Sequence, residues 1–172
     1  MRTYGSEPGT PTTEPVQVGI SEFVVSDQGL TLKAYGLGSC VAVALFDPDA
    51  TVGALAHVML PNGDENDSVD LKPGKFADTA IRAMLRRMVE EGADYTSVEA
   101  KIAGGSDMFQ FESFGDGVGR RNVQAAKDEL EKLGVPIVAE DVGGGRGRTV
   151  EFDTATGVLT IRTASDDGVE EL

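Results

Sequence analysis

Apolar residues along the chain follow two spacings, and each spacing predicts one kind of element. Short runs rich in Val, Ile, Leu and Ala that end at Gly, Pro, Asp or Asn are typical of β-strands. Such runs occupy residues 16–25, 30–36, 40–46, 51–60, 97–104, 136–142, 148–153 and 157–163. These runs predict a protein built mainly of strands.

Two other stretches repeat apolar residues at intervals of three and four and therefore predict amphipathic helices within residues 75–92 and 119–134. Both stretches end in glycine, and Asn122 is a candidate N-cap of the second helix. The order strands, helix, strand, helix, strands predicts an α/β domain in which mixed, largely antiparallel β-sheets pack with helices.

The two ends of the chain lack this pattern. Residues 1–15 contain three prolines and two glycines with few apolar groups, so they cannot repay the entropy of ordering. We therefore expect a mobile N-terminal tail over residues 1–15, a single domain over residues 16–163 and a mobile acidic tail over residues 164–172.

The composition narrows the classes of partner. The 172 residues include 29 Asp and Glu against 15 Lys and Arg, a net charge of −14 that repels nucleic acid and anionic lipid. The longest apolar run, residues 40–46, is far shorter than the roughly 18 residues of a membrane span, and no basic and apolar leader begins the chain. We expect a cytoplasmic protein that neither binds nucleic acid nor inserts into a membrane. Such acidity is typical of salt-adapted proteins, and equally of an ordinary acidic soluble protein.

The only cysteine, Cys40, and the only histidine, His57, lie on two predicted strands that are joined at the sequence DPDA. If Pro48 and Asp49 form a two-residue hairpin loop, Cys40 lies directly opposite His57. Paired residues on one face have Cβ atoms about 4.5 to 5.5 Å apart, so the thiol and the imidazole could meet. A change of one residue in the loop would remove this pairing.

A cysteine beside a histidine can act as a nucleophile, because the imidazole takes the thiol proton and the thiolate attacks a carbonyl carbon. The glycines of GLGS before Cys40 allow a substrate to approach, and the backbone N–H groups of Ser39 and Cys40 are candidate donors to an oxyanion. The alternative is purely structural: Cys40 as a small buried hydrophobe and His57 as a core residue. A metal site is less favoured, because one Cys and one His leave further ligands to be found among scattered carboxylates.

Five motifs occur along the chain in this order: GLGSC, AHVMLP, AKIAGGSDMF, GRRN and DVGGGRGRTVEF. Their order and approximate spacing over residues 18–163 resemble those of the CheD family, the chemoreceptor glutamine deamidases of bacterial and archaeal chemotaxis. The resemblance implies a cysteine hydrolase that needs no cofactor and converts glutamines of methyl-accepting receptors to glutamates, with Cys40 as nucleophile and His57 as base. It also implies a fold similar to that of the cytotoxic-necrotizing-factor deamidases and a second partner, the phosphatase CheC.

One position departs from the family pattern. Members commonly have a threonine six residues before the cysteine, counted as the third catalytic residue, whereas this chain has Ala34. Because the imidazole needs an acceptor for its second N–H, we expect a backbone carbonyl at or near Ala34 to serve, with Thr31 as the weaker candidate.

Four further residues are candidate contacts for a substrate or partner. Gly104 and Gly105 follow a predicted strand and either admit a receptor backbone or simply form a turn. Arg120 and Arg121 precede Asn122, where the start of a helix could face an acidic receptor.

The sequence GGGRGR remains open between two interpretations. Arg146 and Arg148 either bind a partner or belong to a flexible connection between strands.

Two functions therefore compete. The first is an enzyme that acts through a thioester. The second is a catalytically weak module that docks CheC or another chemotaxis protein. The missing threonine favours the module slightly, whereas retention of Cys40 and His57 favours the enzyme more.

Overall fold

The computed structural model describes residues 14–63, 72–107, 117–163 and 168–172, and these form two β-sheets and two helices. In chain order the elements are β1 (Val16–Gln17), β2 (Phe23–Ser26), β3 (Thr31–Leu37), β4 (Val41–Asp47), β5 (Val52–Val58), α1 (Ala77–Glu90), β6 (Glu99–Gly104), α2 (Val118–Leu133), β7 (Ile137–Val142), β8 (Arg148–Asp153), β9 (Leu159–Thr163) and β10 (Val169–Glu171).

Each sheet has five strands in the described residues. One sheet has the order β1-β3-β8-β9-β10 and the other the order β2-β5-β4-β6-β7. Only the pairs β1–β3 and β6–β7 are parallel, and the other pairs are antiparallel. The prediction of mixed, largely antiparallel sheets packed with helices is therefore confirmed.

Strands β4 and β5 lie in the middle layer and are buried on both faces. In β4, Val41, Val43 and Leu45 pack with the two helices, whereas Ala42 and Ala44 face the other sheet. This is the alternation that a strand imposes, and it explains why both runs are almost wholly apolar. The molecule thus has three layers: sheet, sheet and helices.

Helix α2 begins earlier than the sequence suggests. Its N-cap is Gly117, in the left-handed region at φ 86°, and Asn122 lies inside the helix with no exposed surface. The prediction that Asn122 caps the helix is therefore wrong. The C-terminal prediction is confirmed, because Gly134 ends the helix at φ 76°.

Two further expectations change. The predicted run 16–25 is two strands in different sheets, because the chain turns between them and Ser21 has φ 69°. Part of the predicted acidic tail is a strand: β10 pairs with β9, and Leu172 exchanges two backbone hydrogen bonds with Leu159. Of the predicted N-terminal tail over residues 1–15, residues 1–13 lie outside the described residues.

Candidate active site

The hairpin between β4 and β5 has a different register from the predicted one. Asp47 pairs with Val52, so the loop has four residues, and the residue opposite His57 is Ala42. The longer turn forms because the Asp47 side chain accepts hydrogen bonds from the next backbone N–H groups, at 2.9 and 3.1 Å. The prediction that Cys40 lies directly opposite His57 is therefore wrong.

Cys40 and His57 nevertheless share a face. Cys40 immediately precedes β4, two residues before Ala42, and packs at the edge of the cluster between the sheets. His57 lies two residues after Leu55, which belongs to that same cluster. The pair is thus diagonal, a relation in which Cα atoms are about 7–8 Å apart and Cβ atoms somewhat closer.

The imidazole of His57 is buried, with only 2% of its surface exposed. Its Nδ1 lies 3.2 Å from the carbonyl oxygen of Val18, and its Nε2 has no hydrogen-bond partner in the described part of the chain. A carbonyl only accepts, so Nδ1 must carry the proton and Nε2 of the neutral ring must carry the lone pair. This is the tautomer that a base acting through Nε2 requires.

The acceptor for His57 is a backbone carbonyl, as expected in kind, but it belongs to Val18 rather than to Ala34 or Thr31. Val18 lies beside β3, where its N–H donates to the carbonyl of Lys33 at 2.7 Å. Ala34 is fully buried in the cluster between the sheets, and Thr31 pairs with a residue of β8. The expected acceptor position is therefore wrong. No sequence signal marks Val18, because every residue has a carbonyl.

Burial sets the resting protonation of the pair. It raises the pKa of the Cys40 thiol above its ordinary value. It also lowers the pKa of the His57 imidazole, against smaller opposite effects from the Val18 hydrogen bond and the Glu22 carboxylate. Both groups are therefore neutral at rest, rather than the thiolate and imidazolium that the sequence chemistry suggests.

Three hydrogen bonds to backbone carbonyls hold the loop that carries Cys40. The carbonyl of Gly38 accepts from the N–H and the hydroxyl of Ser106, at 2.8 and 3.0 Å. The carbonyl of Cys40 accepts from the N–H of Gly105 at 2.8 Å. Among the described residues, the N–H groups of Ser39 and Cys40 donate to no other group. These are the two N–H groups that the sequence marks as candidate oxyanion donors.

Asn122 holds the same loop from the helix side. Its Nδ2 donates to the carbonyl of Ser39 at 2.8 Å and to the carbonyl of Met59 at 3.1 Å. One amide thereby joins the loop before Cys40 to the end of the strand that contains His57. Sequence reasoning considered Asn122 only as a cap, although the motif GRRN contains it.

The paired glycines lie against this loop. Gly104 has φ 106°, and a Cβ there would overlap the carbonyl oxygen of Cys40. A Cβ on Gly105, which has φ 65°, would overlap the side chain of Val123. Close packing of the loop therefore accounts for both glycines, and contact with a substrate is not needed to explain them.

The arginines lie outside this cluster of contacts. Arg120 is 3.6 Å from Asp107 with 75% of its side chain exposed, and Arg121 is exposed on the same helix. Arg148 is buried and bonded to Asp141 and to the carbonyl of Gly143, so it serves the packing of its own region. The exposed Arg146 lines a cavity of about 380 Å³ beside it.

The described ranges contain neither a metal-binding cluster nor a membrane-spanning helix. No three His, Cys, Asp or Glu side chains there come together as a metal site. Neither helix there has the length and apolar character of a membrane span.

Comparison with known proteins gives consistent matches. The model of the CheD family, described as chemotactic sensory transduction, matches residues 59–163. The probable chemoreceptor glutamine deamidase CheD of Haloarcula marismortui is 40% identical over 98% of this chain and 99% of its own length. The chemoreceptor glutamine deamidase CheD of Thermotoga maritima is 48% identical over 84% of this chain and 89% of its own. Among solved structures, the hypothetical protein YfiH of Bacillus licheniformis covers 69% of this chain and 49% of its own at 14% identity, with a TM-score of 0.45.

Proposed function

This chain belongs to the CheD family, and from that membership we propose that it deamidates glutamine side chains of methyl-accepting chemoreceptors, with Cys40 as nucleophile. Family membership is the basis for the proposed reaction class and for the proposed substrate. The geometry of the site supports the assignment of individual residues.

The observation that supports the site most is the hydrogen bonding of His57. A buried imidazole with one nitrogen on a carbonyl and the other unpaired is costly in a purely structural role, because an orphaned polar atom loses its hydration without compensation. The cost is understandable if Nε2 is kept available for a proton. The nucleophile Cys40 lies diagonal to it on the same face.

The first half of the reaction forms a thioester. Nε2 of His57 takes the proton of the Cys40 thiol, and the sulfur attacks the amide carbon of the glutamine side chain. The backbone N–H groups of Ser39 and Cys40 stabilise the oxyanion. The carbon–nitrogen bond then breaks, and the nitrogen leaves as ammonia with the proton from Nε2.

The second half consumes water. Nε2 takes a proton from a water molecule as its oxygen attacks the thioester carbon, and the carbon–sulfur bond breaks. The sulfur recovers a proton from Nε2, and the carboxylic acid product ionises at neutral pH, since its reference pKa is about 4.3. The net change is glutamine plus water to glutamate plus ammonia.

A docking module is the second candidate, and the raised pKa of the Cys40 thiol favours it, because a thiol that stays neutral at rest is a weak nucleophile. In that case the main partner is CheC or another chemotaxis protein in the cytoplasm, with Arg120 and Arg121 as exposed contact candidates. Retention of both Cys40 and His57 favours the enzyme more.

Mass spectrometry of receptor cytoplasmic peptides incubated with the chain separates the two functions. Each deamidation adds about one dalton and, at neutral pH, one negative charge. We expect deamidation with the native chain and none with Cys40→Ser, whose hydroxyl is much harder to ionise. Unmodified peptides together with tight binding of CheC would favour the docking module, and equal activity of Cys40→Ser would end the nucleophile assignment.

A further inference from the structure

Asn122 has no exposed surface and donates its two amide N–H groups to backbone carbonyls at the site, those of Ser39 and Met59. We propose that Asn122 is a positioning residue that sets the direction of the Cys40 N–H and so preorganises the oxyanion hole. This inference rests on the proposed function, because it assigns a role within that reaction.

The argument begins with the geometry of one peptide unit. The carbonyl of Ser39 and the N–H of Cys40 belong to the same planar trans peptide, so they point in opposite directions. Asn122 holds that carbonyl at 2.8 Å. A fixed carbonyl direction fixes the N–H direction, so the donor to the oxyanion is aimed by a side chain that never touches the substrate.

The orientation of the Asn122 amide is itself determined by its neighbours. Both nearby groups are carbonyl oxygens, at 2.8 and 3.1 Å, and neither can donate. Only Nδ2 can face them, since an amide oxygen in that place would meet two acceptors. Among the described residues, Asn122 Oδ1 is buried without a hydrogen-bond partner, and no bond to them competes for the amide.

The adjacent peptide units are held in a comparable way, which gives the loop little freedom to compensate. The carbonyl of Gly38 is held by Ser106, and the carbonyl of Cys40 by Gly105. Asn122 is the side chain that holds the peptide between them. Preorganised donors are effective because they need no reorganisation when charge develops, so loosening this peptide should slow acylation.

Asn122→Ala tests the role, with Gln124→Ala as the matched control. Gln124 lies on the same helix and also carries an amide, but it is exposed and its amide donates to Asp128 at 2.8 Å. Loss of one oxyanion-hole donor costs about 10²–10³-fold in kcat, and a donor that is loosened rather than lost should cost about 10–100-fold. We expect that fall in kcat for Asn122→Ala with KM within about twofold, and an unchanged rate for Gln124→Ala.

Two further measurements distinguish a changed direction of the Cys40 N–H from a general disruption of the site. Alkylation of Cys40 by iodoacetamide is a displacement at carbon that develops no oxyanion, so its rate should stay within about twofold in Asn122→Ala. A peptide with a γ-aldehyde in place of the target amide adds to the thiol and forms an oxyanion, so its affinity should fall in parallel with kcat. Equal losses of alkylation and deamidation would overturn the proposal, as would an undiminished affinity for the aldehyde.

Asn122→Asp keeps the size of the side chain and removes the amide donors, and it serves if Asn122→Ala does not fold. It should show the same divergence between alkylation and aldehyde binding, whereas parallel changes would again refute the role. If the native chain binds the aldehyde but releases no ammonia from receptor peptides, the proposed function fails while the Asn122 comparison still holds. A native chain that does not bind the aldehyde refutes the oxyanion hole and the role of Asn122 with it.

Discussion

Ala34→Thr tests whether a backbone carbonyl is a sufficient partner for the base. The family commonly has threonine at this position, whereas His57 here donates from Nδ1 to the carbonyl of Val18 at 3.2 Å. Nδ1 carries a single proton, so a new hydroxyl can replace the carbonyl as acceptor but cannot add a second strong bond. Exchanging one neutral acceptor for another should change the barrier by less than about 1 kcal/mol. At about 1.36 kcal/mol per tenfold, turnover should change by only a few fold.

Stability should respond more than turnover. Ala34 is fully buried between the sheets, and threonine adds a methyl and a hydroxyl to a space that is already filled. Overpacking of this kind costs about 1–3 kcal/mol. Ala100→Thr is the matched control, because Ala100 is also a fully buried strand alanine but packs against the helices, away from the sheet interface that holds His57. It should lose similar stability without altering the reaction.

The assay combines ammonia release with urea unfolding of the native chain and both variants. A rise of a hundredfold or more in kcat for Ala34→Thr would refute the reasoning, because it would show that the carbonyl of Val18 leaves the base without a working acceptor. It would also move the docking module ahead of the enzyme.

Three other experiments have defined expected outcomes. Iodoacetamide should alkylate Cys40 more slowly than a free cysteine peptide at about pH 7, and the two rates should converge only as the pH rises through the raised pKa of the buried thiol. Faster alkylation of Cys40 at neutral pH would contradict this. The folded chain favours the neutral form of His57, so the stability that this preference contributes is present above about pH 6.5 and is lost as the pH falls through the lowered pKa. In urea unfolding, His57→Asn should therefore show a smaller decline in the free energy of unfolding over that range. An identical decline in the native chain and the variant would count against this reasoning. Gly104→Ala should lose more stability and more activity than Gly36→Ala in thermal unfolding and ammonia release, because both have positive φ but only Gly104 lies against the Cys40 carbonyl; equal losses would show that the close approach is unimportant.

Local patterns of apolar residues predicted most of the strands and helices, because an element that is buried on one face or on both has a characteristic spacing of apolar residues. Examples are the almost wholly apolar runs of β4 and β5 and the apolar residues that recur every four positions in α1. The split of residues 16–25 was not predictable, since both strands are apolar and only the three-dimensional arrangement assigns them to different sheets.

Cys40 and His57 stay predicted site residues, whereas the register predicted between them is wrong. Cys40 and His57 stand out because each is the only residue of its kind. Their register depends on one loop, in which the Asp47 side chain stabilises a longer turn than Pro48 suggests. The hydrogen-bond acceptor for His57 is a main-chain carbonyl, which cannot be inferred from the type of any residue.

The carbonyl that accepts a hydrogen bond from His57 belongs to Val18, which lies at the edge of a sheet. Val18 directly follows β1, a strand of two residues that, in the described part of the chain, pairs only with β3. Short edge strands open at a lower free energy than the core. If His57 is the base of the proposed reaction, an opening of β1 would remove the Val18 carbonyl and allow the ring proton to move to Nε2, where it would block proton acceptance from the thiol. Amide hydrogen exchange of Val18 would measure that opening.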